Sequence, residues 1–162
     1  MLTSTGDPVL VVALTQQHDQ VGHYPVIGGV YVSTNPLGDT LMPINTVRDP
    51  STGALIPVLL EYPGPAIGTG VIGDSDVVCV VWGHDDNLAD STIGAMVPWD
   101  IYANISYDGG KSWGVPINLT NSADENENVP VIAKRIDYIN NLAHIFFVES
   151  FDGSDIYYDV EN

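Results

Sequence analysis

With 162 residues and a formal net charge of −17, the chain is one domain's worth of sequence and strongly acidic. Only Arg48, Lys111, Lys134 and Arg135 oppose 21 acidic residues. That balance excludes nucleic acid as a partner, because no basic surface is left to neutralise phosphates. It also disfavours anionic membranes, and no apolar run approaches the ~20 residues of a membrane helix, so membrane insertion is not expected.

The start, Met1-Leu2-Thr3-Ser4-Thr5-Gly6-Asp7, lacks the basic and apolar stretches of a signal peptide. A secreted protein would therefore have its signal removed or outside this chain. Eleven prolines and sixteen glycines and the absence of helical periodicity argue against helices. β-branched and aromatic runs separated by Gly, Pro, Asn and Asp predict an all-β fold.

Taken in order, residues 8–14, 29–34 and 41–45 read as strands. His18 and His23 fall in the loop between the first two, without the further ligands zinc needs. Residues 54–62 are the candidate first strand of a middle unit. Residues 63–73 read as an insertion rich in Gly and Pro. Gly68-Thr69-Gly70-Val71-Ile72-Gly73 spells G-x-G-x-x-G but precedes a strand instead of opening a helix, so no dinucleotide site is expected.

Residues 76–82 form a continuous apolar run typical of a strand buried on both faces. Cys79 within it reads as a small buried hydrophobe, and a single cysteine says nothing about redox compartment. The loop after it holds Asp85, Asp86, Asn87 and Asp90. Hard cations take six to eight oxygen ligands, so this loop is the first choice for a metal site, with Ca²⁺ as the ion. Solvated turn carboxylates are the simpler reading, and no cofactor is required. Residues 124–127, and Asp152 with Asp155, are further acidic clusters without an EF-hand pattern.

Residues 99–105 form the next strand, followed by Ser106-Tyr107-Asp108-Gly109-Gly110-Lys111-Ser112-Trp113 and the strand 115–119. Gly109-Gly110 accept positive φ without a Cβ clash. Asp108 and Ser106 can bond back onto turn N–H groups. Trp113 supplies a large apolar ring to wedge between strand pairs. This S-x-D-x-G-x-x-W spelling resembles the Asp box, the repeated hairpin of sialidase-type β-propellers, also called the bacterial neuraminidase repeat. The resemblance implies that Ser106, Asp108, Gly110 and Trp113 build the fold and do no chemistry.

Beyond the box, residues 129–136, 142–149 and 155–158 read as strands, and Asp155-Ile156-Tyr157 echoes Asp100-Ile101-Tyr102. Pro43-Ile44-Asn45 likewise echoes Pro116-Ile117-Asn118. The resemblance therefore implies antiparallel four-stranded blades of a sialidase-like propeller, incomplete in this chain: a partial blade at 1–48, a full blade at 49–121 and a partial blade at 122–162. Closed propellers have about four to eight blades, and open strand edges invite association. The expected partners are the rest of a longer propeller chain or identical copies of this one.

For catalysis, a sialidase resemblance implies three arginines around the substrate carboxylate, a Tyr/Glu pair and an Asp acid. Only Arg48 and Arg135 are present, and no spacing pairs Glu61, Glu149 or Asp90 as glycosidase carboxylates. No catalytic residue is nominated. His84, ending an apolar strand, reads as structural, and His144 has no metal-ligand spacing. Asn104-Ile105-Ser106 and Asn118-Leu119-Thr120 match the glycosylation pattern but fall on strands. Trp99, Tyr102, Tyr107, Tyr138, Tyr157 and Tyr158 could stack on glycan rings, though strand tyrosines ordinarily pack across strands. The expectation is a non-catalytic extracellular or surface module for binding or structural assembly. The alternatives are a piece of a secreted sialidase-like glycoside hydrolase and a self-assembling surface or filament protein.

Overall fold

The computed structural model describes residues 1–16, 27–35, 40–57, 60–61, 64–85, 99–122, 126–137, 139–151 and 155–161. Every regular element among them is a strand, and every strand ladder is antiparallel. None of the sheets closes on itself.

The first sheet comprises β1 (Leu10–Gln16), β2 (Ile27–Ser33) and β3 (Met42–Pro43) in that order. A small hairpin follows, β4 (Thr46–Arg48) with β5 (Leu55–Pro57), and β6 (Leu60–Glu61) then returns to pair with β2. The middle sheet is a four-stranded meander of β7 (Ala66–Ile72), β8 (Ser75–Asp85), β9 (Trp99–Ser106) and β10 (Ile117–Asn118). The third sheet contains β11 (Asn126–Ile132), β12 (Ile145–Phe151) and β13 (Asp155–Glu161).

Residues 54–62 do not open the middle sheet. Pro57 ends β5 in the small hairpin, and Leu60–Glu61 joins the first sheet. The opening strand is instead β7, in the Gly-rich segment that looks like an insertion. Its glycines meet a specific steric demand. A Cβ at Gly68 would stand 2.7 Å from the Ala133 carbonyl oxygen, and one at Gly70 would stand 2.8 Å from Ile136 Cβ. Any side chain there would hold the third sheet's chain away. With glycine in both places, Thr69 N–H donates to the Lys134 carbonyl at 3.1 Å and Ile136 N–H to the Thr69 carbonyl at 3.0 Å.

β8 organises the core. Its run Val77-Val78-Cys79-Val80-Val81-Trp82 is at most 2 % exposed at every position. Side chains alternate across a strand, and here both faces are covered. Val77, Cys79 and Val81 pack with Ile132, Ile136, Ile145 and Phe147 of the third sheet's region. Val78, Val80 and Trp82 pack with Val9, Val30, Val32 and Ile44 of the first. Each such burial contributes roughly 1.5–3 kcal/mol, so β8 ties three stacked sheets together.

The first and middle sheets share a register. Ile117 stands opposite Ala103, three residues before Ser106. Ile44 N–H donates to the Val30 carbonyl at 2.9 Å, three residues before Ser33. The two Pro-Ile-Asn segments thus occupy equivalent places at the outer edge of their sheets.

Candidate functional site

The 106–113 segment links β9 to β10 and folds around one carboxylate. Asp108 Oδ1 accepts from the Ser106 hydroxyl at 2.7 Å, from Lys111 N–H at 3.0 Å and from Ser112 N–H at 2.9 Å. Its Oδ2 accepts from the Ser112 hydroxyl at 2.5 Å. Partial burial pulls the Asp108 carboxyl upward, but the Ser112 and Ser106 hydroxyls and the two N–H donors outweigh it and hold the group at about 2. Ser106 is 1 % exposed and also accepts from Gly110 N–H at 2.8 Å.

Gly110 (φ 92°) takes a backbone conformation L side chains avoid, and a Cβ there would meet Thr34 Cγ2 at 3.2 Å. Trp113 Nε1 donates to the Gly110 carbonyl at 3.0 Å. Its ring joins the core between the first and middle sheets. Ser106, Asp108, Gly110 and Trp113 therefore act together as a sheet-to-sheet fastening. All four are local in sequence, which is why their spacing is readable without a structure.

The amino-terminal loop supports the same end of the middle sheet. Asp76 accepts from the Ser4 hydroxyl in a short contact and from Ser4 N–H at 3.0 Å. The Ser4 hydroxyl is the main reason its carboxyl lies below the usual range. Asp76's own carbonyl accepts from Gly109 N–H at 2.9 Å, which joins loop and hairpin.

At the opposite end, Asp100 is 5 % exposed. It accepts from Asn118 Nδ2 at 2.6 Å, Thr120 Oγ1 at 3.3 Å, and the Ser122 N–H and hydroxyl at 3.1 and 3.3 Å. A buried carboxylate persists only when hydrogen bonds replace its lost hydration, and here they staple the 118–122 segment over β9. Nothing in the spacing of these residues announces that cluster.

Beside it, between the first and middle sheets, is a cleft of about 60 Å³ lined by residues 45–47, 115–116, Trp82, His84 and Tyr102. His84 is 9 % exposed and stacks on Tyr102 with ring centroids 4.4 Å apart. Trp82 is fully buried, and its Nε1–H has no acceptor among the described residues. Sequence reading misses this cleft because its walls come from segments far apart in the chain.

The remaining candidates scatter. Asp85 closes β8, while Asp86 and Asp90 lie outside the described residues. Among the described residues, no group of three His, Cys, Asp or Glu is arranged to hold a metal ion. His18, His23 and Tyr138 are also outside them. Of the aromatics named for glycan stacking, Tyr107 is 59 % exposed, and Tyr102 is half-buried against His84. Asn104 is 2 % exposed with Nδ2 bonded to two carbonyls, so its sequon is closed in the folded chain. Asn118 Nδ2 is likewise engaged by Asp100. Cys79 is buried, and desolvation pushes its thiol up to about 12, which removes it as a nucleophile.

No protein-family model, curated protein or solved structure matches the chain.

Proposed function

We propose that the chain is a run of sialidase-like propeller blades serving as a non-catalytic extracellular or surface module for binding or structural assembly. The observation that carries this reading is the middle meander of β7 to β10, covered on both faces, with Trp113 packed toward the preceding sheet. In an Asp-box propeller the box joins the third and fourth strands of a blade, and 106–113 joins β9 to β10.

The charged residues support a role without sialidase chemistry. Arg48 donates from its guanidinium to the Gly53 carbonyl at 2.7 Å, inside its own hairpin. Arg135 is exposed on the seam beside Thr69. No third arginine exists in the sequence to complete a carboxylate clamp. A fluorogenic sialoside offered to the purified chain tests this directly. The expected result is no release above buffer; turnover that disappears in an Arg135→Ala variant would overturn it.

A further inference from the structure

A two-residue ladder flanks the first sheet just before β1. Met1 and Val9 exchange both backbone bonds at 2.7 Å, and Leu2 stands antiparallel to Pro8. Residues 3–7 turn the chain between them, with Thr3 N–H donating to the Asp7 carbonyl at 2.9 Å. The Thr69 hydroxyl of β7 donates to the Leu2 carbonyl at 3.0 Å, which fixes this ladder to the middle sheet.

The middle sheet has the same ladder in longer form. Leu10 is opposite Ser33 as Val78 is opposite Ser106, so Val9 is the counterpart of Val77. Gly70 of β7 is opposite Val77, and Thr69, Gly68, Ile67 and Ala66 are opposite Val78, Cys79, Val80 and Val81. Met1 therefore stands where Gly70 does. Among the described residues, β1 has β2 as its one strand neighbour, and nothing holds beside Leu10 to Ala13 the places that residues 66–69 hold beside β8.

Exposure follows the ladder. Val9, Val11 and Ala13 share one face of the strand. Val9, beside Met1, is 1 % exposed, whereas Val11 is half-buried and Ala13 is exposed. Their counterparts Val77, Cys79 and Val81, flanked by β7, are at most 2 % exposed. Backbone bonds alternate sides along an antiparallel strand. Val9 directs both its groups to the ladder, so Val11 and Ala13 direct theirs to the same open edge, which is a template for a further strand.

We propose that this edge takes an extended, uncharged segment of another polypeptide, antiparallel to β1 and in line with Met1, its backbone bonded to Val11 and Ala13. The proposal rests on the binding-module reading and names the chemistry of the partner. Met1 and Leu2 set the direction and register, because the added strand continues their line. Its side chains opposite Val11 and Ala13 meet the seam with the middle sheet, where charge is costly. β1, β2 and β3 contain no charged residue, and neither do residues 66–69 of β7. A net charge of −17 also repels acidic segments. Main-chain bonds supply the affinity in this mode of recognition.

Amide exchange on the 162-residue chain tests this, with an acetylated and amidated peptide of the sequence of residues 62–69 as probe. In the free chain, the Val11 and Ala13 amides exchange fast, while those of Leu10 and Val12, bonded to β2, exchange slowly. Peptide at about ten times its dissociation constant slows Val11 and Ala13 by about tenfold and leaves Leu10 and Val12 as they were. The same peptide N-methylated at the residues matching Ala66 and Gly68 protects neither. Ala13→Pro removes one edge N–H without touching the β2 ladder, a change edge strands tolerate, and loses the peptide effect. Val11 and Ala13 amides already slow in the free chain, no slowing by the peptide, or equal slowing by its N-methylated form would each overturn the proposal. If Ala13→Pro loses the wild-type circular dichroism, the N-methylated peptide decides, since it leaves the protein unaltered. Failure of the peptide with slow amides throughout β8 and β9 would reject the edge and leave the blade reading in place; fast amides in β8 and β9 of the free chain would contradict the blade reading itself.

Discussion

Asn104 donates from Nδ2 to the Ile44 carbonyl at 2.9 Å, across the boundary between the middle and first sheets. The same amide donates to the Gly114 carbonyl at 3.0 Å, just beyond the 106–113 hairpin. One buried side chain thus ties the hairpin, its own sheet and the preceding sheet to each other.

Replacing it strands the Ile44 carbonyl, an acceptor in a buried bond that water does not reach. Asn104→Ala is expected to destabilise the fold by about 1–3 kcal/mol, the desolvation penalty of an orphaned buried group. Urea unfolding reads this as a lower midpoint at an unchanged slope. An unchanged midpoint would mean the two sheets are not joined there.

The seam between the middle and third sheets predicts a contrast among glycines. Gly68→Ala would place a methyl 2.7 Å from a backbone oxygen that cannot step aside, whereas Gly114→Ala meets nothing within 4 Å. Overpacking of this kind costs about 1–3 kcal/mol, against roughly 0.5 kcal/mol or less for a neutral surface change. Chemical denaturation of the two variants checks the order. Equal losses would contradict the close approach of β7 to residues 133–136.

Part of the acid sensitivity should come from the hairpin. Asp108 titrates at about 2 in the fold against an ordinary 3.8. A depressed carboxylate stabilises the fold above its unfolded value, and that contribution is lost as pH falls from 3.8 towards about 2. Asp108→Asn removes the titration, so the fall in melting temperature across this window becomes shallower than in wild type. Parallel profiles would show that the Ser106 and Ser112 bonds do not form in solution.

Cys79 offers a probe of the core. With its thiol raised to about 12 by burial, it should resist a thiol reagent at neutral pH while folded and react fully in denaturant. Rapid modification of the native protein would place β8 at a surface.

The legible and illegible parts of this fold divide by range. The antiparallel all-β class follows from the short apolar runs, and β8 is readable because six consecutive apolar residues need cover on both faces. The 106–113 hairpin is readable because its donors and acceptor are within a few residues. β7 is not: the glycines that suggest a loop are placed for close approach to residues 133–136, a contact invisible along the chain. Residues 54–62 mislead in the opposite way, since Leu55, Ile56, Leu59 and Leu60 suggest one strand while Pro57 lies where β5 ends. The Asp100 cluster and the Trp82–His84–Tyr102 cleft depend on pairings that no spacing encodes.

The central claim, three sheets stacked face to face with the 106–113 hairpin fastening the first pair, has a direct test by nuclear Overhauser spectroscopy. Gly110 is beside the Thr34 methyl, and Gly68 is beside Ile132 Cδ1. The account predicts cross-peaks from the Gly110 α-protons to the Thr34 methyl and from the Gly68 α-protons to the Ile132 δ-methyl. A spectrum that shows the β8–β9 contacts between Val80 and Asn104 but lacks both of these would contradict it.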